Sequence, residues 1–168
     1  IAAGDLVING VAVGASTGVD DAFSSGNQEA SAIAKAAAIN NVADLTGVSA
    51  TVNGTFVSGS AAYDNTAGAA TVVINGITIP LSVDATLSDT VNLGSVAQGI
   101  NASSGQTGVT ATFSGNPAQG VQLQAADGRN IIIADGTGTA SDYGIAAAAT
   151  YTGSYSLVSD DGTPISLD

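Results

Sequence analysis

Val7-Ile8-Asn9-Gly10-Val11-Ala12-Val13 sets two short apolar runs on either side of Asn-Gly, and the layout returns sixty-six positions later as Val73-Ile74-Asn75-Gly76-Ile77-Thr78-Ile79. Asn and Gly tolerate positive φ at both centres of a type I′ turn, and that turn matches the twist of paired strands. Each stretch therefore predicts the tip of a tight hairpin. Leu6, Ile8, Val11 and Val13 would share one face of the first hairpin, and Val72, Ile74, Ile77 and Ile79 one face of the second.

A second pair of segments repeats as well. Ile39-Asn40, then Thr46-Gly47-Val48-Ser49-Ala50-Thr51-Val52, matches Ile100-Asn101, then Thr107-Gly108-Val109-Thr110-Ala111-Thr112-Phe113, at an offset of sixty-one. Matches at a constant offset, kept in the same order, mark two copies of one supersecondary unit. About five residues were lost between the two blocks.

Helical spacing fills the interval in each copy. From residue 28 to residue 44 the first copy is Ala-rich, with Ile33, Ala36, Ala37 and Ile39 near a 3.6-residue period. Ser25 with Gln28 forms a candidate capping box, and Asn27 is an equally good N-cap. Gly47 stands where a helix C′ residue belongs. In the second copy Leu93, Val96, Ala97 and Ile100 give a short amphipathic helix, with Thr90 or Asn92 to cap it. Gly94 and Gly99 weaken that helix and limit it to two or three turns. Alternation predicts strands over 48–57, with Asn53-Gly54 as a turn or bulge, and over 109–113, 121–125 and 131–133. After residue 134 the repeat is lost. Residues 145–149 fit a strand or a helical turn, and strands are expected at 151–158 and 165–167.

The whole reads as an α+β chain: two tandem β-hairpin–helix–strand units, antiparallel sheets each covered by one helix, and a small β-rich C-terminal segment. The expected boundaries are 1–60 for the first unit, 68–133 for the second and 134–168 for a tail that packs back on them. The tail would bring the last residues near the first, as in a domain inserted into a larger protein.

Composition narrows the function. The net charge is −12, with only Lys35 and Arg129 positive. Such a surface repels phosphate, which argues against nucleic acid and anionic membranes as partners. There is no Cys for a disulfide or thiolate site, and no His to serve as general base or metal ligand. Asp20-Asp21 and Asp160-Asp161 are adjacent pairs that a strand would point to opposite faces, so they read as turn or solvated-loop acids. Asp135-Gly136-Thr137-Gly138 and Asp160-Asp161-Gly162-Thr163 place oxygen ligands beside Gly but fit no EF-hand loop. Gly136-x-Gly138 does not extend to a dinucleotide fingerprint. Ser and Thr lack a His to activate them. The reading is a non-enzyme with no cofactor and no metal. Asn53-Gly54-Thr55 and Asn101-Ala102-Ser103 match the N-glycosylation pattern, the first in a strand or turn and the second just after a helix.

These residues resemble a family. Ile8-Asn9-Gly10, Ile39-Asn40 and Thr46-Gly47 in the first copy, with Ile74-Asn75-Gly76, Ile100-Asn101 and Thr107-Gly108 in the second, look like the flagellin hook IN motif. Asp127-Gly128-Arg129-Asn130, leading into Ile131, is similar to the stretch that often closes that motif. No such stretch follows Thr51-Val52, so the first unit is either short of a strand or borrows one from elsewhere. The resemblance covers most of residues 4–133 and, more loosely, 143–168. It implies a structural segment of the bacterial flagellar filament: an extracellular, surface-exposed outer domain of flagellin. The implied partners are other flagellin subunits, joined through the parent chain, and the exposed face would meet antibodies or a host surface. Two alternatives stay open: a flagellar cap or hook-associated protein, and an extracellular adhesion or glycan-binding module. For the last, only Tyr63, Tyr143, Tyr151 and Tyr155 could supply an aromatic platform, and clustering of Tyr143, Tyr151 and Tyr155 on one exposed face would favour it.

Overall fold

A computed structural model describes residues 1–168. The chain divides into two compact units. Unit 1 comprises Ile1–Thr55, Ala126–Asn130 and Thr152–Asp168, and unit 2 comprises Phe56–Ala125 and Ile131–Tyr151.

Unit 1 opens with the expected hairpin, β1 (Val7–Ile8) and β2 (Val11–Ala12), in which Ile8 faces Val11. Asn9 and Gly10 take φ of 49° and 81°, as a type I′ turn requires. The Ala-rich stretch is not one helix from residue 28 to 44. A 3₁₀ turn (Gln28–Ala30) precedes α1 (Ala32–Asn40), and a separate single turn, α2 (Ala43–Thr46), follows it. The cap is neither Ser25 nor Asn27. Ser31 sits in extended backbone between the 3₁₀ turn and α1, and its Oγ accepts from Ala34 N at 3.0 Å. A residue held extended in this way cannot be helix interior, so the 3₁₀ turn and α1 remain apart. Then comes β3 (Val48–Val52), paired antiparallel not with a following strand but with β11 (Tyr155–Ser159). The chain closes where Leu167 bridges Ile8. Ile8, Val13, Ala36, Ala38, Ile39, Val48 and Ala50 form the core of this unit, with α1 lying on β3.

Unit 2 contains a four-stranded antiparallel sheet in the order β10-β9-β5-β6, made by β5 (Ala69–Ile74), β6 (Ile77–Ser82), β9 (Ile131–Asp135) and β10 (Ala149–Tyr151). A second sheet runs β4-β8-β7, from β4 (Thr55–Val57), β7 (Thr110–Phe113) and β8 (Val121–Ala125). α3 (Asp89–Asn101) lies on β6 and β7, and α4 (Ser104–Thr107) is again a single turn. Ser88, not Thr90 or Asn92, caps α3, with its Oγ accepting from Val91 N. At 13 residues α3 is longer than its two glycines suggested. Gly99 has a packing role: a Cβ there would stand 3.1 Å from Leu81 Cδ2, so its bare backbone lets α3 approach β6. Leu93, Val96 and Ile100 bury against Ile74, Ile79, Leu123, Ile131 and Tyr143 in an apolar cluster.

The two units use the same pairings. Ile8 faces Leu167 as Ile74 faces Ile133, and Ala50 faces Leu157 as Ala111 faces Leu123. Val52 faces Tyr155 as Phe113 faces Val121. The tail from residue 155 to 168 therefore occupies the register of residues 121–134 at a constant offset of thirty-four, and that offset also lays Asp161-Gly162 on Asp127-Gly128. The α+β expectation holds, but the order is not tandem. Unit 1 is interrupted after β3, and its sheet partner arrives only at Tyr155. Of the residues expected to form a separate β-rich tail, 134–151 belong to unit 2 and Thr152–Asp168 to unit 1. A lone strand such as β3 must pair its backbone N–H and C=O groups, and β11 is where they go.

Candidate functional site: two asparagine clamps

The repeated residues occupy the same geometry twice. In unit 1 the side chain of Asn9, at the hairpin tip, spans two other segments. Its Nδ2 donates to Thr46 O at 2.8 Å, and its Oδ1 accepts from Ser166 N at 2.9 Å. In unit 2 Asn75 Nδ2 donates to Thr107 O at 2.9 Å and Oδ1 accepts from Ile132 N at 2.8 Å. Each clamp ties the turn to the end of a short helix and to the segment that closes the unit. That segment is β9 in unit 2 and, in unit 1, residues 165–168, which make one isolated bridge rather than the expected strand. The carbonyls it satisfies belong to a helix C-terminus, where intrahelical donors run out.

A second amide does the same for the longer helix. Asn40 Nδ2 donates to Ala50 O at 3.0 Å and its Oδ1 accepts from Ala50 N at 2.7 Å. Asn101 holds both backbone groups of Ala111 at 2.8 Å. The carboxamide thus mimics one rung of a β-ladder and fixes the helix end against β3 or β7. Thr46 and Thr107 complete the constellation, with hydroxyls that accept from Val48 N and Val109 N, each at 3.1 Å. Gly47 and Gly108 take left-handed conformations that end the short helices. Ile8, Ile39, Ile74 and Ile100 lie fully buried beside these polar ties.

Asp127-Gly128-Arg129-Asn130 belongs to unit 1. Asp127 accepts from Arg129 Nη2 at 2.6 Å and from its Nε, a bidentate pair. Burial alone would raise the Asp127 pKa, but hydrogen bonds from Arg129 and its positive charge bring it below the usual value. The guanidinium also lies 5.6 Å from the centre of the Phe23 ring. Asn130 is buried, its N–H donating to Ser24 Oγ at 2.8 Å and its Nδ2 to the carbonyls of Gly26 and Asn27.

Other candidates take structural places. Asp20 stays exposed and accepts from Thr17 Oγ1, but Asp21 is not the solvated loop acid expected. It is fully buried, and its Oδ1 accepts from Phe23 N and Ser24 N at 2.9 Å. Desolvation would raise its pKa; the Ser24 and Ser31 hydroxyls and those two N–H groups outweigh it and hold the carboxyl low. Asp160 accepts from Ser49 Oγ, and Asp161 closes a turn with Thr163 N and Oγ1. Asp135 accepts from Ala140 N at 2.8 Å. No cluster of three or more acids is arranged to hold a metal, and no helix is long and apolar enough to cross a membrane. Tyr143 is buried in the unit 2 core, Tyr151 packs against that core, and Tyr155 packs against the core of unit 1. Tyr143 therefore offers no exposed aromatic face. In the two glycosylation-like triplets Thr55 is buried, with its hydroxyl donating to Arg129 O, while the Asn101 amide is occupied by Ala111.

Sequence reading found the clamp residues as turn and helix-end positions but missed that their amides bridge segments. It also missed the acceptors and donors they reach, above all Ser166, whose signal was only the thirty-four-residue offset. Among curated proteins none matches this sequence. Residues 71–127, which carry Asn75, Asn101 and Thr107 with the strands and helices they join, match the family model described as the flagellin hook IN motif, and this marks the segment as flagellin-related.

Proposed function

We propose that this chain is a surface-exposed outer domain of a bacterial flagellin, a structural segment borne on the filament and joined to other subunits through its parent chain. The match over residues 71–127 carries the reading. The clamp geometry of unit 1 supports extending it: residues 1–52 together with 155–168 are a second copy of the same motif, divided in sequence by the first-matched one. On this view the domain sets surface charge and the antigenic face of the filament. Its −12 charge keeps such a crowded surface solvated and resists unwanted association. The rigid amide clamps suit a part whose task is to hold shape. Nothing in the placement of the tyrosines favours the glycan-binding alternative, because Tyr143 is buried and the others divide between two cores.

Immunogold labelling with antibody against residues 1–168 tests the proposal. Continuous label along filaments is the expected result. Label confined to the distal tip or the hook junction would replace flagellin with a cap or hook-associated protein. Label on the cell body beside bare filaments would reject the flagellar reading.

A further inference from the structure

The sequence contains three Asn-Gly pairs, Asn9-Gly10, Asn53-Gly54 and Asn75-Gly76. We propose that Asn53 is a site of spontaneous intramolecular deamidation in the folded protein, and that Asn9 and Asn75 are shielded from the same reaction by their clamps. In this reaction the backbone nitrogen of Gly54 loses its proton and attacks Cγ of Asn53. A C–N bond forms, the Cγ–Nδ2 bond breaks, and Nδ2 leaves as ammonia after taking up the proton. The resulting succinimide adds water at either carbonyl to give aspartate or isoaspartate. Overall, amide and water become carboxylic acid and ammonia, with no oxidant or cofactor.

Three features of Asn53 favour this path. The residue is exposed. The N–H of Gly54 donates to no group, so nothing holds the attacking nitrogen. The carboxamide is held only by exposed serine hydroxyls, Ser154 Oγ at 3.2 Å and Ser156 Oγ at 3.1 Å. Hydroxyls facing water exchange their partners readily. Gly54 also lacks a Cβ to hinder ring closure. Asn9 and Asn75 share the Gly neighbour but not the freedom. Each carboxamide would have to give up a backbone carbonyl and a backbone N–H before its Cγ could swing towards the next nitrogen.

The product changes the molecule in two ways. One negative charge is added to a chain already at −12. The isoaspartate form also lengthens the backbone by a methylene, just after β3. The domain therefore carries a slow, age-dependent charge mark at one position.

The test is to incubate the whole chain at mildly alkaline pH and follow all three sites by peptide mapping, with aspartate and isoaspartate resolved. In the folded protein Asn53 should convert at least about tenfold faster than Asn9 or Asn75, the factor expected for breaking one to two hydrogen bonds. In urea the three rates should converge. Gly54→Ala should slow Asn53 by about tenfold in both states, because its Cβ crowds the ring. Equal rates at the three sites in the folded protein would overturn the proposal. So would a folded Asn53 that stays amide while the urea sample converts, or a Gly54→Ala chain that converts undiminished.

Discussion

Units 1 and 2 share their strand pairings and their amide clamps but fill them with different material. Unit 2 buries a cluster of twenty apolar residues that includes Leu93, Ile100, Leu123, Ile131 and Tyr143. The cluster of unit 1 has seven, of which Ala36, Ala38 and Ala50 are alanines. Unit 1 instead buries Ser16, Asp21, Ser24, Ser31, Thr46, Thr55 and Asn130, against Asn92 and Thr107 in unit 2. Apolar burial stabilises by roughly 25 cal/mol per Å², whereas a buried polar group contributes only while its hydrogen bond is made. The same backbone plan thus leans more on apolar packing in unit 2 and more on buried polar groups in unit 1. Unit 1 should exchange its amide protons faster and open first.

Gly128 and Gly162, both in unit 1, offer the sharpest break between the two copies of the repeat. They are equivalent under the thirty-four-residue offset and both have positive φ, 80° and 76°. A Cβ on Gly128 would lie 2.2 Å from Val52 Cγ1 and 2.7 Å from Asn53 O, while on Gly162 it would meet nothing. Gly128→Ala should cost about 2–5 kcal/mol from strain and overpacking together, and Gly162→Ala about 1 kcal/mol from strain alone. Chemical denaturation of both variants would check this, and equal losses would refute the close packing at Gly128.

Leu123 and Leu157 are the next pair, matched in register but not in burial. Leu123 is fully buried, so Leu123→Ala should lose about 2–5 kcal/mol. Leu157 is half-buried, and its loss should be nearer 1 kcal/mol. If the two costs were equal, the difference between the cores would be smaller than their residues suggest.

Removing the clamps should be more even. Asn9→Ala and Asn75→Ala each lose one amide bridge and leave an alanine at φ near 50°. About 1–3 kcal/mol is expected in either unit, read as faster hydrogen exchange at Ser166 or Ile132.

Acid and alkali should separate the units most gently. The pKa of Asp21 in unit 1 is lowered from 3.8, so its stabilisation is present above that value and is lost as pH falls through the folded pKa. Burial raises the Tyr143 pKa in unit 2 above 10.0, with Asp142 and Asp64 adding to the shift. That stabilisation is present below 10.0 and is lost as pH rises through the folded value. NMR at low pH should show unit 1 resonances broadening first, and at high pH those of unit 2. Asp21→Asn should flatten the acid response, and an unchanged acid response would remove Asp21 as its source.

Local chemistry was legible wherever it was self-contained. Asn-Gly announced both hairpin tips because few residue pairs accept positive φ twice. The 3.6-residue spacing of Leu93, Val96, Ala97 and Ile100 announced α3, whose four residues are all buried. The Ala-rich stretch misled, since alanine favours helix at every position and marks no end, so the single hydroxyl of Ser31 decided where α1 begins. Asp21 looked like a loop acid because nothing in its neighbours announces the backbone N–H groups that turn to receive it.

By itself the sequence determined the repeated unit, its turns, its helices and its acidic surface, since each follows from residues close together in the chain. Only the tertiary structure decided which strand completes which unit. β3 repeats the pattern of β7, but β11 lies about a hundred residues beyond β3 and shares little with β8 except Leu157 for Leu123, yet the two pairs form in the same register. Strand pairing is a bond between backbones, and backbones carry no sequence signature of their partner.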